Sequence, residues 1–295
     1  MELSFYKLFT GPNDTLLVNS LSENLPLKSF LAEELPGKES SLSIIARKIC
    51  MRREGVGANG VVYLFKGENH PVSARFFLPD GTEHAISHDA LLCLAKFSFD
   101  SGLSGKEKLI VETGERLRTV ESIDSTNFRV SIGQPRKAEG AEIRELPDGE
   151  YTRTITVKDR KITVTPVRFE TSGAVIFFED VRTEILKEIS RSIRESREET
   201  ESPQPVFVKV FSREDILIRT WFSRGAVDYC EPAAMASVAS VLNGLVERDV
   251  VVHVGEHLKF VQWLSRTNEV YVTSSPEYAF SGTFYVEDEL LSPLP

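Results

Sequence analysis

Two segments of this chain, 75–81 and 219–225, show the same order of local signals. Each has an apolar, strand-like run that ends at a turn glycine, and a helical pattern begins six residues after that glycine, at Ser87 and at Glu231. A strand, a tight turn and a helix in the same order and spacing predict that the two halves arose by duplication and fold alike.

The two predicted helices are also similar to each other. Ala90 and Ala95 of the first helix match Ala234 and Ala239 of the second. Both helical patterns end at a Gly-Leu pair, at 102–103 and at 244–245. A helix N-terminus carries unpaired N–H groups and a partial positive charge, so it suits a carboxylate ligand. The duplication therefore predicts two equivalent helix N-termini on a cleft where the halves meet.

Strand patterns greatly outnumber helical ones along the rest of the chain, which predicts an α+β fold. The charged, Pro- and Gly-containing stretch 134–149 is the best linker candidate. We expect an N-terminal half of residues 1–134, joined by the C-terminal tail 282–295, and a C-terminal half of residues 135–281.

Composition limits the possible partners. The formal net charge is -9 and no long basic run is present, so nucleic-acid binding is not expected. No apolar stretch approaches a membrane span, and the N-terminus lacks the pattern of a secretion signal. The three cysteines, Cys50, Cys93 and Cys230, are sparse and lack metal-ligand spacing, which favours a reducing, cytoplasmic environment and no metal site.

The segment 55–60, Gly-Val-Gly-Ala-Asn-Gly, matches the glycine spacing of a dinucleotide-binding loop. That loop must follow a strand and open a helix, whereas this segment follows a helical pattern and precedes a strand. We therefore expect it to form a tight turn without a nucleotide.

These motifs together resemble the diaminopimelate epimerase-like superfamily of cofactor-independent racemases and isomerases. The likeness is carried by the Gly-Pro-Asn-Asp turn at 11–14, the segment 55–60, the Asp-Gly-Thr-Glu turn at 80–83 and the Arg-Gly-Ala at 224–226. The resemblance implies two pseudo-symmetric domains, each a curved, mostly antiparallel sheet around a central helix. It also implies no cofactor and a small carboxylate-bearing substrate, and a homodimer is possible.

The chain departs from that family where its two catalytic cysteines would stand. The first position is Ser87, and the second falls on Pro232, next to Glu231. The Ser-His-Asp at 87–89 and the segment 231–236 have some likeness to the phenazine-biosynthesis type isomerases, whose motifs hold a histidine and an acidic residue at these helices.

Without thiols at those positions, proton transfer needs other groups. Glu231 and His88 are the candidate acid–base residues, and Ser87 is a third candidate. Each has a structural alternative: a first-turn helix charge for Glu231, a surface histidine for His88 and a helix N-cap for Ser87.

Four residues are candidates for holding the ligand. The resemblance implies this role for Asn13 and Arg224, which match the family's pattern. Asp89 and Cys230 flank the altered motifs, and their alternatives are a first-turn charge and a small buried apolar residue.

Three functions stay open at this point. The first is a divergent isomerase that moves a proton next to a carboxylate, as an amino-acid epimerase or racemase or as a tautomerase. The second is an inactive homologue that binds a ligand or a partner. The third is diaminopimelate epimerase itself, with Cys230 recruited as the thiol.

Overall fold

The computed structural model describes residues 1–21, 40–105, 107–114, 116–137, 140–143, 151–157, 160–179, 183–195, 203–222 and 226–286. Within them the chain forms the helices α1 (Ser41–Ile49), α2 (His88–Asp100), α3 (Thr183–Glu195) and α4 (Cys230–Leu242). Its strands are β1 (Glu2–Thr10), β2 (Asn13–Asn19), β3 (Val61–Lys66), β4 (Val72–Phe77), β5 (Glu83–His84), β6 (Lys108–Thr113), β7 (Arg116–Ser122), β8 (Phe128–Gly133), β9 (Arg153–Val157), β10 (Arg160–Arg168), β11 (Ser172–Phe177), β12 (Gln204–Ser212), β13 (Asp215–Thr220), β14 (Asp249–Val254), β15 (His257–Trp263), β16 (Val270–Ser274) and β17 (Glu277–Tyr285). The α+β prediction is confirmed.

The chain divides into two compact units. Unit 1 takes Met1–Phe128, Arg224–Asp228 and Ser275–Pro295, and unit 2 takes Arg129–Ser223 and Tyr229–Ser274. Each unit has its own sheet and its own central helix. The boundaries expected from the sequence, 1–134 with 282–295 and 135–281, stay a prediction.

The sheet of unit 1 follows a simple order of pairing. β17 lies antiparallel to β1, and β1 lies antiparallel to β2. From there β2 and β3 are parallel, β3 and β4 antiparallel, β4 and β6 parallel, and β6 and β7 antiparallel. The two-residue strand β5, which the sequence did not predict, pairs with the end of β4.

Unit 2 repeats this order. β10 and β11 are antiparallel, β11 and β12 parallel, β12 and β13 antiparallel, β13 and β14 parallel, and β14 and β15 antiparallel. Starting at β1 in unit 1 and at β10 in unit 2, the five successive strand pairs are therefore antiparallel, parallel, antiparallel, parallel and antiparallel. This agreement confirms that the units are pseudo-symmetric, as the short repeat predicted.

Each helix occupies a connection between two parallel strands, because such strands need a long crossover and a helix supplies it. α1 connects β2 to β3 and α3 connects β11 to β12, while α2 and α4 occupy the connections from β4 to β6 and from β13 to β14. The apolar face of α1 includes Leu42, Ile45 and Ile49, which pack with strand residues of unit 1. In unit 2, Leu186 and Ile189 of α3 do the same.

The central helix of each unit is enclosed by its sheet. α2 packs against β1, β2, β6 and β7, and α4 packs against strands from β10 to β16. All thirteen residues of α4 are buried, and apart from Glu231 they are apolar or small. None of the helices in the described part of the chain is long and apolar enough to cross a membrane.

The C-terminal end of α2 is closed by a glycine cap. Gly102 has φ 68°, its N–H donates to the Phe99 carbonyl, and the Leu103 N–H donates to the Ser98 carbonyl. These two bonds are those of a Schellman motif, which ends the helix at Asp100 rather than at the Gly-Leu pair itself.

α4 ends in the same way. Gly244 has φ 69°, its N–H donates to the Val241 carbonyl, and the Leu245 N–H donates to the Ser240 carbonyl. The helix therefore stops at Leu242, three residues before the end expected from the sequence. The repeated Gly-Leu pair is thus a repeated helix cap.

Candidate functional site

Ser87 caps the central helix of unit 1. Its backbone is extended, and its hydroxyl accepts a hydrogen bond from the Ala90 N–H at 3.2 Å. This is the geometry of an N-cap, which satisfies one of the donors left over at a helix start. The capping role proposed as the alternative for Ser87 is present, and it holds the hydroxyl against the helix.

His88 is the first residue of α2 and is buried, with 3% of its surface exposed. The surface histidine considered as its alternative is therefore wrong. Its ring Nδ1 lies 2.7 Å from Oδ2 of Asp228, and the same oxygen accepts the His88 backbone N–H at 3.0 Å. Because an ionised carboxylate can only accept, Nδ1 carries a proton and donates it to Asp228.

Asp89, the next residue of α2, is fully buried. Asn13 at the start of β2 donates through Nδ2 to the Val227 carbonyl at 2.8 Å, and its Nδ2 lies 3.4 Å from Oδ2 of Asp89. Asn13 and Asp89 were both predicted as ligand-binding residues, and the structure brings them together with the segment 226–228.

A second set of contacts fixes the Asn13 amide. Asn59 donates through Nδ2 to Oδ1 of Asn13 at 2.9 Å, and its own Oδ1 accepts from Arg52 at 2.8 Å. Since Oδ1 of Asn13 is taken by Asn59, the NH2 group is the end that points to Asp89.

Asp14 anchors this network. Both its oxygens accept from the Arg52 guanidinium, at 2.8 and 3.0 Å, and the Lys7 ammonium lies 3.1 Å away. Burial alone would raise the pKa of Asp14, but the hydrogen bonds and charges of Arg52 and Lys7 outweigh it and lower that pKa. Asp14 is therefore ionised at neutral pH and holds both cations in place.

Glu231 lies in the first turn of α4 in unit 2 and is 6% exposed. Its Oε1 accepts two hydrogen bonds from Thr171, one from the backbone N–H at 2.7 Å and one from the hydroxyl at 3.0 Å. These donors compensate part of the cost of burying a carboxylate. They also fix the direction of the side chain.

Cys230 is the first residue of α4 and is completely buried. The Lys259 ammonium lies 3.4 Å from its Sγ, and Lys259 itself is 1% exposed. A buried lysine is uncommon unless a partner compensates its charge. The sulfur of Cys230 is one such partner.

The structure thus describes six of the seven predicted site residues, and Arg224 lies outside the described residues. Four of them, Asn13, Ser87, His88 and Asp89, meet in unit 1, and Cys230 and Glu231 are neighbours in unit 2. Sequence reasoning missed Asp228, Thr171 and Lys259. The sequence pattern did not mark Lys259 either, because apolar residues of β15 lie on both faces of the strand.

Comparison with known proteins finds no matching family model. Among curated relatives, the diaminopimelate epimerase of Desulfitobacterium hafniense is 30% identical over 254 residues, covering 83% of this chain and 89% of the relative. The diaminopimelate epimerase of Desulforapulum autotrophicum is 26% identical over 291 residues, covering 96% of this chain and 99% of the relative.

Solved structures give the same fold. A probable proline racemase from Agrobacterium radiobacter K84 superimposes with a TM-score of 0.63 at 12% identity, covering 99% of this chain and 94% of the other. A phenazine-biosynthesis PhzF-family protein from Enterococcus faecalis gives 0.61 at 14% identity, covering 97% and 100%. At such low identity these two likenesses show the fold alone.

The curated relatives are diaminopimelate epimerases, and the matches to them and to the solved structures extend over both halves of the chain. A relative 30% identical over 89% of its own length shares more than a fold with this protein. The chain belongs to the diaminopimelate epimerase family.

Proposed function

We propose that this protein is a cofactor-independent isomerase that moves a proton at the carbon next to a carboxylate, and that His88 is a proton-transferring group. The supporting observation is the contact between His88 and Asp228. A carboxylate on Nδ1 fixes the tautomer and the orientation of the ring, and it favours the imidazolium that forms when Nε2 takes a proton. A surface-charge role would not need a buried ring held in this way.

Glu231 is the second acid–base candidate in this proposal. Its carboxylate is nearly buried and is oriented by Thr171, so it has a fixed direction. Oε1 takes both bonds from Thr171, and we assign the second proton-transfer role to this carboxylate.

The substrate of this proposal is a small carboxylate-bearing molecule, and Asn13 and Asp89 are the residues of unit 1 that we assign to binding it. The Asp89 carboxylate and the second lone pair of Asn13 Oδ1 suit a ligand with an amino group. Diaminopimelate is one such molecule. The loss of both family cysteines favours a different substrate of the same class.

We further propose that the protein works in the cytoplasm, which the three free, buried thiols support. The expectation of a homodimer is likewise a proposal, and light scattering of the purified chain tests it.

The experiment that tests the function is α-proton exchange in D2O, followed by NMR, on a pool of amino acids and small unsaturated acids that includes diaminopimelate. The wild-type chain is compared with Glu231→Ala and with His88→Gln. Deuterium uptake into one compound, lost in both variants, would support the proposal and identify the substrate. Uptake that persists in His88→Gln would contradict the role of His88.

No uptake in any compound, together with tight binding of one of them, would favour the inactive homologue. Exchange of diaminopimelate that needs Cys230 but neither His88 nor Glu231 would favour the third function, epimerisation of diaminopimelate by a recruited thiol.

A further inference from the structure

Strand β15 of unit 2 has an inverted polarity. Leu258 and Phe260 are 56% and 38% exposed, whereas Lys259 between them is 1% exposed. Because successive strand residues point to opposite faces, Lys259 shares the inward face with the buried Val261 and Trp263. A lysine among these side chains loses the hydration of its ammonium group, so other contacts must compensate the cost of burying it.

Cys230 is one of these contacts, and its position favours the charged form. The Lys259 Nζ lies 3.4 Å from Sγ, and Cys230 opens α4, where the helix N-terminus adds partial positive charge. A neighbouring ammonium and a helix N-terminus are two of the features that stabilise thiolates in proteins. Ionisation of the thiol releases its proton to water and leaves a neutral thiolate–ammonium pair.

Cys50 shows the opposite case in the same chain. It is nearly fully buried, and burial, helped by the charge of Asp14, raises the pKa of its thiol to about 12, although Arg52 and Lys7 act in the opposite direction. Cys50 is therefore a neutral thiol at neutral pH, and it provides an internal reference for an unactivated cysteine.

We propose that Lys259 is a positioning residue that holds Cys230 as a thiolate in the first turn of α4. Cys230 thereby adds a proton acceptor to unit 2, next to the Glu231 carboxylate that Thr171 holds. This catalytic consequence rests on the proposed function, but the charge state of Cys230 does not.

The test is the ultraviolet absorption of the thiolate in the folded protein at neutral pH. Wild type is compared with Cys230→Ser and with Lys259→Met, which has a similar length and no charge. Cys93→Ser and Lys66→Met are the matched controls, because Cys93 is a second buried thiol and Lys66 is exposed. Circular dichroism establishes that each variant is folded.

We expect the thiolate absorption to disappear in Cys230→Ser, to be lost or strongly reduced in Lys259→Met, and to remain in both controls. Equal absorption in wild type and Cys230→Ser would overturn the proposal, as would full absorption in Lys259→Met. If Lys259→Met does not fold, the comparison of Cys230→Ser with Cys93→Ser decides the charge state.

Proton exchange on the substrate found in the D2O experiment separates this inference from the proposed function. Loss of kcat with an unchanged KM in Lys259→Met is the expected result, since a positioning residue acts on the chemical step. Thiolate absorption without proton exchange on any compound would support the Cys230–Lys259 pair and contradict the proposed function. Proton exchange that depends on His88, in a protein without thiolate absorption, would support the proposed function and contradict the thiolate–ammonium pair.

Discussion

The imidazole of His88 and the carboxylate of Asp228 are joined at two points. Oδ2 of Asp228 lies 2.7 Å from the ring Nδ1 and accepts the His88 backbone N–H at 3.0 Å. The first contact sets the tautomer of the ring, and the second ties the carboxylate to the start of α2. One oxygen therefore fixes both the protonation pattern and the place of the histidine.

We predict that Asp228→Asn slows proton exchange by about 100-fold or more, within the usual range for losing an acid–base group. An amide can present its NH2 to Nδ1, which would move the ring proton to Nε2 and remove the proton acceptor. The measurement is the deuterium exchange rate. Asp100→Asn, which changes a more exposed carboxylate at the other end of α2, is the control and should keep the wild-type rate.

The Thr171–Glu231 contact gives a prediction on stability. Thr171→Val removes the hydroxyl donor and keeps the shape of the side chain, so we expect a loss of about 1.5–3 kcal/mol, as for a hydrogen bond to a charged group. Urea unfolding measures it. Thr273→Val, on strand β16, is the matched control, because within the described residues Thr273 is partly buried and its hydroxyl makes no side-chain hydrogen bond.

If Thr171→Val acts through Glu231, its effect should shrink in a Glu231→Gln background, because the charge that strengthens the bond is then absent. Equal losses in both backgrounds would show that the valine acts on something other than this contact.

The two helix caps predict a paired result. A Cβ added at Gly102 or Gly244 meets no atom within 4 Å, so Gly102→Ala and Gly244→Ala should each cost about 1–2 kcal/mol, from the positive φ alone. Thermal or urea unfolding checks this. Gly105→Ala is the control, since its Cβ also meets nothing and its φ is not positive. A cost at Gly105 equal to that at Gly102 would refute the explanation.

The Cys50 thiol predicts how stability changes in alkali. Burial raises its pKa from 9.0 to about 12 in the folded chain, so the unfolded chain loses this proton first. The contribution is complete below pH 9 and is lost as the pH rises through about 12. Urea unfolding across this window should show a steeper fall for wild type than for Cys50→Ala. Parallel curves would contradict the prediction.

The parts of the fold that were predictable from sequence depend on local signals. Ser87 is a helix cap because its side chain reaches a donor three residues along the chain. The Gly-Leu pairs at 102–103 and 244–245 indicated the helix ends because glycine readily adopts the positive φ of a C-terminal cap. Their repetition was sufficient to predict two similar units, which the shared order of strand pairing confirms.

The site was less predictable, because its partners are distant in the chain. Asp228 is 140 residues from His88, and Thr171 is 60 residues from Glu231. No spacing or periodicity links such pairs, so only the folded chain shows which donor meets which acceptor. Lys259 was equally unpredictable, because apolar residues of β15 lie on both of its faces and only the folded chain shows which face is buried.

Proton exchange by His88→Gln on the substrate of the wild-type chain tests the central claim most directly. The account predicts a fall of about 100- to 10,000-fold in the exchange rate, with the unfolding midpoint and circular dichroism spectrum of a folded protein. Exchange at the wild-type rate in the folded variant would contradict it, because the histidine that Asp228 holds would then take no part in moving the proton.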